Sequence, residues 1–248
     1  MRELLAEILR YVELEHVQGV AEVPPQLKEL VVPCSGGGSL DYYAVDSGYV
    51  VRRIGAADVL IQTVVAVGRD IKRRFVMQRV AEDPHREARR NELLFAESIG
   101  ADVVLIDGPL TPYVNTARVI GVSKDPHLAR YGPRIPEKDK REAFVKLAKA
   151  LGEREVAALL LSASTPGSYL IPADLGGLYG TFFKSDWVVY VEYPKHIDAS
   201  HLCALFRQYP VRLRLAHHLA KVNREYLKTV GSVLSGVLRP PPRPRDLL

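Results

Sequence analysis

The sequence predicts a mixed α/β fold, and three observations carry that expectation. Three strand-like runs follow one another closely between Tyr42 and Val80, joined by short Gly- or Asp-bearing links. Such spacing suits an antiparallel meander. An amphipathic helical pattern from Asp83 to about Ile99 comes next. After it, with almost no linker, stands a short and wholly apolar run, Val103–Ile106. A strand of that kind is buried on both faces and pairs in parallel. The resulting core order is β-β-β-α-β.

The chain has 248 residues, 47% hydrophobic and 25% charged. That is enough apolar material for one large domain, expected over residues 1–238. The formal net charge of +5 suits a polyanionic partner without requiring one. Cys34 and Cys203 stand far apart and form no C-x-x-C pair, so neither a disulfide framework nor a zinc ribbon is expected. The N-terminus carries charges throughout and is not a signal peptide. No apolar run approaches the ~18 residues of a membrane span. A soluble, cytoplasmic protein with no membrane partner is expected. Asn, Gln, Met and Cys are scarce beside plentiful Arg, Glu and Pro, a bias that resembles thermophile proteins.

Each element has its reason. Leu4, Leu5, Ile8, Leu9 and Val12 make an amphipathic helix over residues 1–16, which Pro24-Pro25 ends. Gly36-Gly37-Gly38 is read as a flexible turn, because no Gly-Lys-Ser/Thr follows to make a phosphate loop. Tyr42–Val45 is a strand that ends at Asp46, with a possible resumption at Val50-Val51, and Val59–Val67 is strongly β-branched. Ile71–Val80 carries Lys72, Arg73, Arg74 and Arg79. Asp83 is the N-cap and Pro84 the first helical residue of the following helix, and Gly100 stops it. Residues 111–136 are proline-punctuated loop, and Glu137–Leu151 is a charged amphipathic helix. Val156–Leu161 is a buried strand or short helix, Leu170–Thr181 is irregular, and Trp187–Val191 is a strand. Ser200–Phe206 and Arg214–Val230 are helical. The Pro/Arg-rich tail at 239–248 is flexible.

This order matches the ribonuclease H-like fold, in which the first and fourth strands are parallel neighbours at the sheet centre. Asp46 closes the first run and Asp107 the fourth. Across ~4.8 Å of sheet they would project side by side, close enough to share a divalent cation. Such a site needs further oxygen donors. Glu92 lies within the apolar face made by Ala88, Phe95, Ala96 and Ile99, where an unpaired carboxylate is costly. A metal would relieve that cost, and so would a salt bridge to Arg89 or Arg90. Glu87 and Glu97 are read as solvated rim charges. A last constellation runs from Tyr209-Pro210 to Ala216-His217, where His217 could bind a metal or handle a proton.

Together these pieces resemble the NurA nucleases, the DNA end-processing enzymes that work beside the HerA hexameric translocase. The resemblance rests on Ala44-Val45-Asp46-Ser47-Gly48, on Glu92, on Leu105-Ile106-Asp107-Gly108-Pro109, and on Tyr209-Pro210 through Ala216-His217. It spans about residues 40–225. Two points depart from the family pattern: Ser47-Gly48 is inverted, and Pro109 stands where Ser is usual. The resemblance implies metal-dependent phosphodiester hydrolysis, as a 5′–3′ exonuclease and/or endonuclease on single- and double-stranded DNA, in end resection and repair. It assigns Asp46, Glu92, Asp107 and His217 to one or two Mn²⁺ or Mg²⁺ ions, and Tyr209 to orienting a phosphate or a water. It also implies DNA and a HerA-like hexameric ATPase as partners, and a homodimer. The rival readings are a non-catalytic ribonuclease H-like subunit that binds DNA or a translocase, and an actin-like ATPase or kinase.

Overall fold

The structure, a computed structural model, describes residues 23–36, 40–54, 56–112, 116–124 and 129–222, together with 229 and 232. The expected N-terminal helix and the Pro/Arg-rich tail lie outside them. In chain order the elements are β1 (Val31–Val32), β2 (Tyr42–Ile54), β3 (Ala57–Val67), β4 (Ile71–Arg79), α1 (Pro84–Glu97), β5 (Val103–Asp107) and β6 (Val119–Ser123). There follow α2 (Lys138–Leu151), α3 (Glu153–Leu161), β7 (Tyr169–Leu170), β8 (Ala173–Asp174), β9 (Leu178–Lys184), β10 (Val188–Pro194), α4 (Ala199–Leu202) and α5 (Val211–Ala220). They fall into two compact units, residues 1–38 with 123–209, and residues 39–122 with 210–248.

The second unit carries the ribonuclease H-like core. β2, β3 and β4 form the antiparallel meander, and β2 pairs in parallel with β5, which pairs in parallel with β6. Apolar residues of β3 fill the interior: Val64, Val65 and Leu60 are wholly buried, as are Val104, Leu105 and Ile106 of β5. Helix α1 starts as its sequence requires, the Asp83 side chain accepting from the His85 N–H with Pro84 in the first turn. Two amides seat it on the sheet. Gln62, buried on β3, donates to the Ala88 carbonyl (2.8 Å) and accepts from Asn91 (3.0 Å).

The first unit carries five strands. β9 and β10 make a hairpin, β7 and β8 both pair with β9, and β1 pairs with β7. Helices α2 and α3 contribute Phe144, Val156 and Leu161 to a core completed by Tyr131, Phe182 and Tyr190.

Several expectations are corrected. β2 does not end at Asp46; it runs on to Ile54, because β3 pairs with it over its whole length. The stretch 111–136, expected as loop, contains β6. Gly121 lowers its strand character, yet it sits where a Cβ would come within 2.8 Å of the Gly108 carbonyl. The stretch 170–181, expected to be irregular, supplies β8 and part of β9. Of the two readings of Val156–Leu161, strand or short helix, the helix holds. Of the helix expected over Arg214–Val230, α5 spans Val211–Ala220 with an extended Lys221 at its end, residue 229 is helical, and residues 223–228 and 230 lie outside the described residues. Cys34 and Cys203 form a disulfide within the first unit, where a bond was not expected: chain separation hid a Cα–Cα approach of 5.6 Å. Among the described residues no helix is long and apolar enough to cross a membrane.

Candidate metal centre

β2 and β5 bring the first two acids together. Val45 is in register with Ile106, so Asp46 and Asp107 are the next residues along two parallel neighbours. β5 ends at Asp107, and the chain leaves through Gly108, whose φ of +92° suits glycine alone. Asp46 stays within its strand and is only 8% exposed.

Helix α5 brings the third group. At its start Arg212 donates to the Tyr42 carbonyl and lies over the Tyr42 ring, 4.6 Å from the centroid. At its end it presses on Gly48, where any Cβ would collide with the Ala220 carbonyl oxygen. Gly48 is therefore a packing glycine, and the inverted Ser47-Gly48 order has a physical role: residue 48, not 47, lies beneath the helix. Between these two anchors, His217 Nδ1 stands 2.7 Å from Asp46 Oδ2 and 3.6 Å from Asp107 Oδ2. A carboxylate oxygen only accepts, so the Nδ1–H donates to Asp46. The other oxygen of Asp46 accepts from the Ser47 N–H at 2.8 Å. Donor atoms of Asp46, Asp107 and His217 all lie within 4.8 Å of one another, a group that could hold a metal ion. His218, beside it, is exposed.

Glu92 comes from α1 and is 4% exposed. The expected salt bridge forms, and it is to Arg89. Arg89 donates to Oε2 at 2.8 Å, while buried Oε1 has no hydrogen-bond partner among the described residues. Burial raises the Glu92 pKa to about 7; Arg89 opposes the rise, and the charges of Asp46 and Asp107 add to it. Asp46 is raised too, by burial first and by Asp107 second, against the Ser47 N–H and His217. Both shifts come first from burial, and the neighbouring carboxylates add to each. Hard oxygen donors with one imidazole suit Mn²⁺ or Mg²⁺. A cation beside Glu92 would also satisfy its orphaned oxygen.

The remaining expectations fare differently. Tyr209 belongs to the first unit and is 4% exposed. Its ring stacks on Trp187 at 5.0 Å, the Lys124 ammonium lies over it at 5.0 Å, and its N–H donates to Asp186. Glu87 is not merely solvated: it accepts from the Ala81 and Glu82 N–H groups and from Gln78, tying down the turn before α1. Sequence reasoning gave Arg89 no role beyond an ion pair and did not find Arg212; the i, i+3 spacing of Arg89 and Glu92 was the available signal.

Comparison with known proteins agrees with this architecture. The family model for the NurA domain matches residues 40–222. The chain belongs to the NurA family. It resembles a solved NurA structure with a TM-score of 0.57 and 10% identity, covering 99% of each chain. It also resembles the NurA nuclease from Sulfolobus solfataricus (0.53, 14%, covering 96% of this chain and 95% of that one). A third likeness is to NurA bound to dAMP and manganese (0.55, 11%, covering 96% and 97%). At these identities the likeness speaks for the fold. No curated protein matches the chain in sequence.

Proposed function

We propose that this protein is a divalent-metal-dependent deoxyribonuclease. The observation that carries the reading is the buried Oε1 of Glu92, which has no hydrogen-bond partner among the described residues, beside the charges of Asp46 and Asp107. Family membership and the manganese and dAMP held by a related NurA structure support it. Asp46, Glu92 and Asp107 would hold one or two Mn²⁺ or Mg²⁺ ions, with His217 as a further donor. Such an ion supplies Lewis-acid polarisation of a phosphoryl oxygen and favours ionised water at neutral pH.

The protein's own groups do the rest. Asp46 orients the His217 ring through Nδ1, which also faces Asp107. The exposed Lys72, Arg73, Arg74 and Arg79 of β4 offer charge to a phosphate backbone, so binding weakens with salt. By the family resemblance, Tyr209 would orient a phosphate or a water. By family, the substrates are single- and double-stranded DNA ends cut by 5′–3′ exonuclease or endonuclease action. The setting is cytoplasmic end resection and repair, with the chain as a homodimer beside a HerA-like hexameric ATPase.

The test is cleavage of labelled single- and double-stranded DNA with Mn²⁺, comparing the wild type with Asp46→Ala. Metal-dependent cleavage lost in the variant is expected. Equal activity in both, or none in either, overturns the reading.

A further inference from the structure

Arg89 is a cation buried at the meeting point of two carboxylate carriers. It is 8% exposed, and its guanidinium makes three hydrogen bonds to three different parts of the chain. Nη1 donates to Glu92 Oε2 at 2.8 Å and to the Asp107 backbone carbonyl at 2.7 Å. Nη2 donates to the Pro109 carbonyl at 2.8 Å. Gly108 lies between those two carbonyls, and the nearest atom to a Cβ placed there is Arg89 Nη2, at 3.5 Å. One planar fork thus spans helix α1 and the chain as it leaves β5.

The consequences are geometric. The fork fixes the Asp107 backbone relative to the Glu92 head group. It also occupies Oε2 of Glu92, which decides that Oε1 is the oxygen left without a partner. A buried ion pair of this kind adds little net stability, because desolvation offsets the Coulomb gain. Its return lies in holding two groups from separate elements at a set spacing. A lysine keeps the charge, yet it lacks the rigid fork that serves three acceptors in one plane.

The geometry points to Arg89 as the positioning residue that sets Glu92 and Asp107 for a divalent cation, so that metal affinity depends on its guanidinium. This deepens the metal-site reading above and rests on it.

The experiment is Mn²⁺ titration of the full-length protein by calorimetry, for the wild type, Arg89→Gln and Arg89→Lys. Thermal unfolding with and without Mn²⁺ accompanies it, to show that each variant is folded. Loss of an outer-shell partner costs about 10–100-fold in metal affinity, and that loss is expected for Arg89→Gln. Arg89→Lys is expected between the two. Wild-type affinity in Arg89→Gln overturns the inference. Wild-type affinity in Arg89→Lys overturns it as well, since charge alone would then suffice. If Arg89→Gln does not fold, the lysine variant decides. A wild type that takes up no Mn²⁺ overturns the metal site itself, a result distinct from equal binding by all three proteins.

Discussion

In the first unit, Glu153 is 8% exposed at the start of α3 and accepts three backbone N–H groups, from Arg130 and Tyr131 on one oxygen and Gly132 on the other. Glu192, wholly buried on β10, pairs with Arg130 at 3.0 Å. In the second unit, Glu92 is buried as deeply, but only one of its oxygens is engaged, and Asp46 and Asp107 add negative charge beside it. Burial is therefore not the mark of a working carboxylate. The first unit buries acids whose oxygens the protein itself satisfies, and they hold a turn and a strand in place. The second buries Glu92 with one oxygen unpartnered among the described residues, beside Asp46 and Asp107.

That contrast can be broken by exchanging measurements between the two regions. The largest effect belongs to Asp46→Ala, which should lower Mn²⁺-dependent DNA cleavage by roughly 10³-fold while leaving the fold intact. A gel assay with labelled duplex checks it. Glu153→Ala should do the reverse. It strands three buried N–H groups and should cost about 3–5 kcal/mol in urea unfolding, with Mn²⁺ affinity unchanged. Loss of metal binding in that variant would erase the distinction between the two regions.

The pH dependence sharpens the comparison. Glu92 is raised from 4.5 to about 7, so its folded form keeps a proton that the unfolded chain has lost. Its contribution to stability is complete below about pH 4.5 and disappears as pH rises through 7. The metal-free protein should lose up to about 3 kcal/mol between pH 4 and 8 from this group. Glu92→Gln should remove most of that fall in chemical-denaturation scans, and saturating Mn²⁺ should offset it in the wild type. A smaller effect belongs to Gly48→Ala. Pushing the end of α5 off β2 should cost about 1–3 kcal/mol and displace His217, read as a lower melting temperature and weaker cleavage.

Much of the second unit was legible because its signals are local. The Asp83-Pro84 cap, the β-branched run of β3 and the abrupt apolar β5 each announce themselves over a few residues. Asp46 and Asp107 could be placed together once parallel pairing of their strands was inferred. What stayed hidden depends on distant neighbours. β2 continues past Asp46 only because β3 lies along it, and β6 is a strand because β5 pairs with it, with Gly121 placed where the Gly108 carbonyl comes close. The Cys34–Cys203 bond joins residues 169 apart. Arg89 was legible only as a candidate ion-pair partner of Glu92. Its two backbone acceptors, at Asp107 and Pro109 where the chain leaves β5, leave no trace in the spacing of residues.

Crystals soaked in saturating Mn²⁺ and measured at a wavelength where manganese scatters anomalously would locate the ion without reference to activity. A peak bounded by Asp46, Asp107 and His217, with Glu92 Oε1 turned toward it, is the expected map. A map with no peak between Asp46 and Asp107 would contradict the metal centre, and the orphaned oxygen of Glu92 would need another explanation.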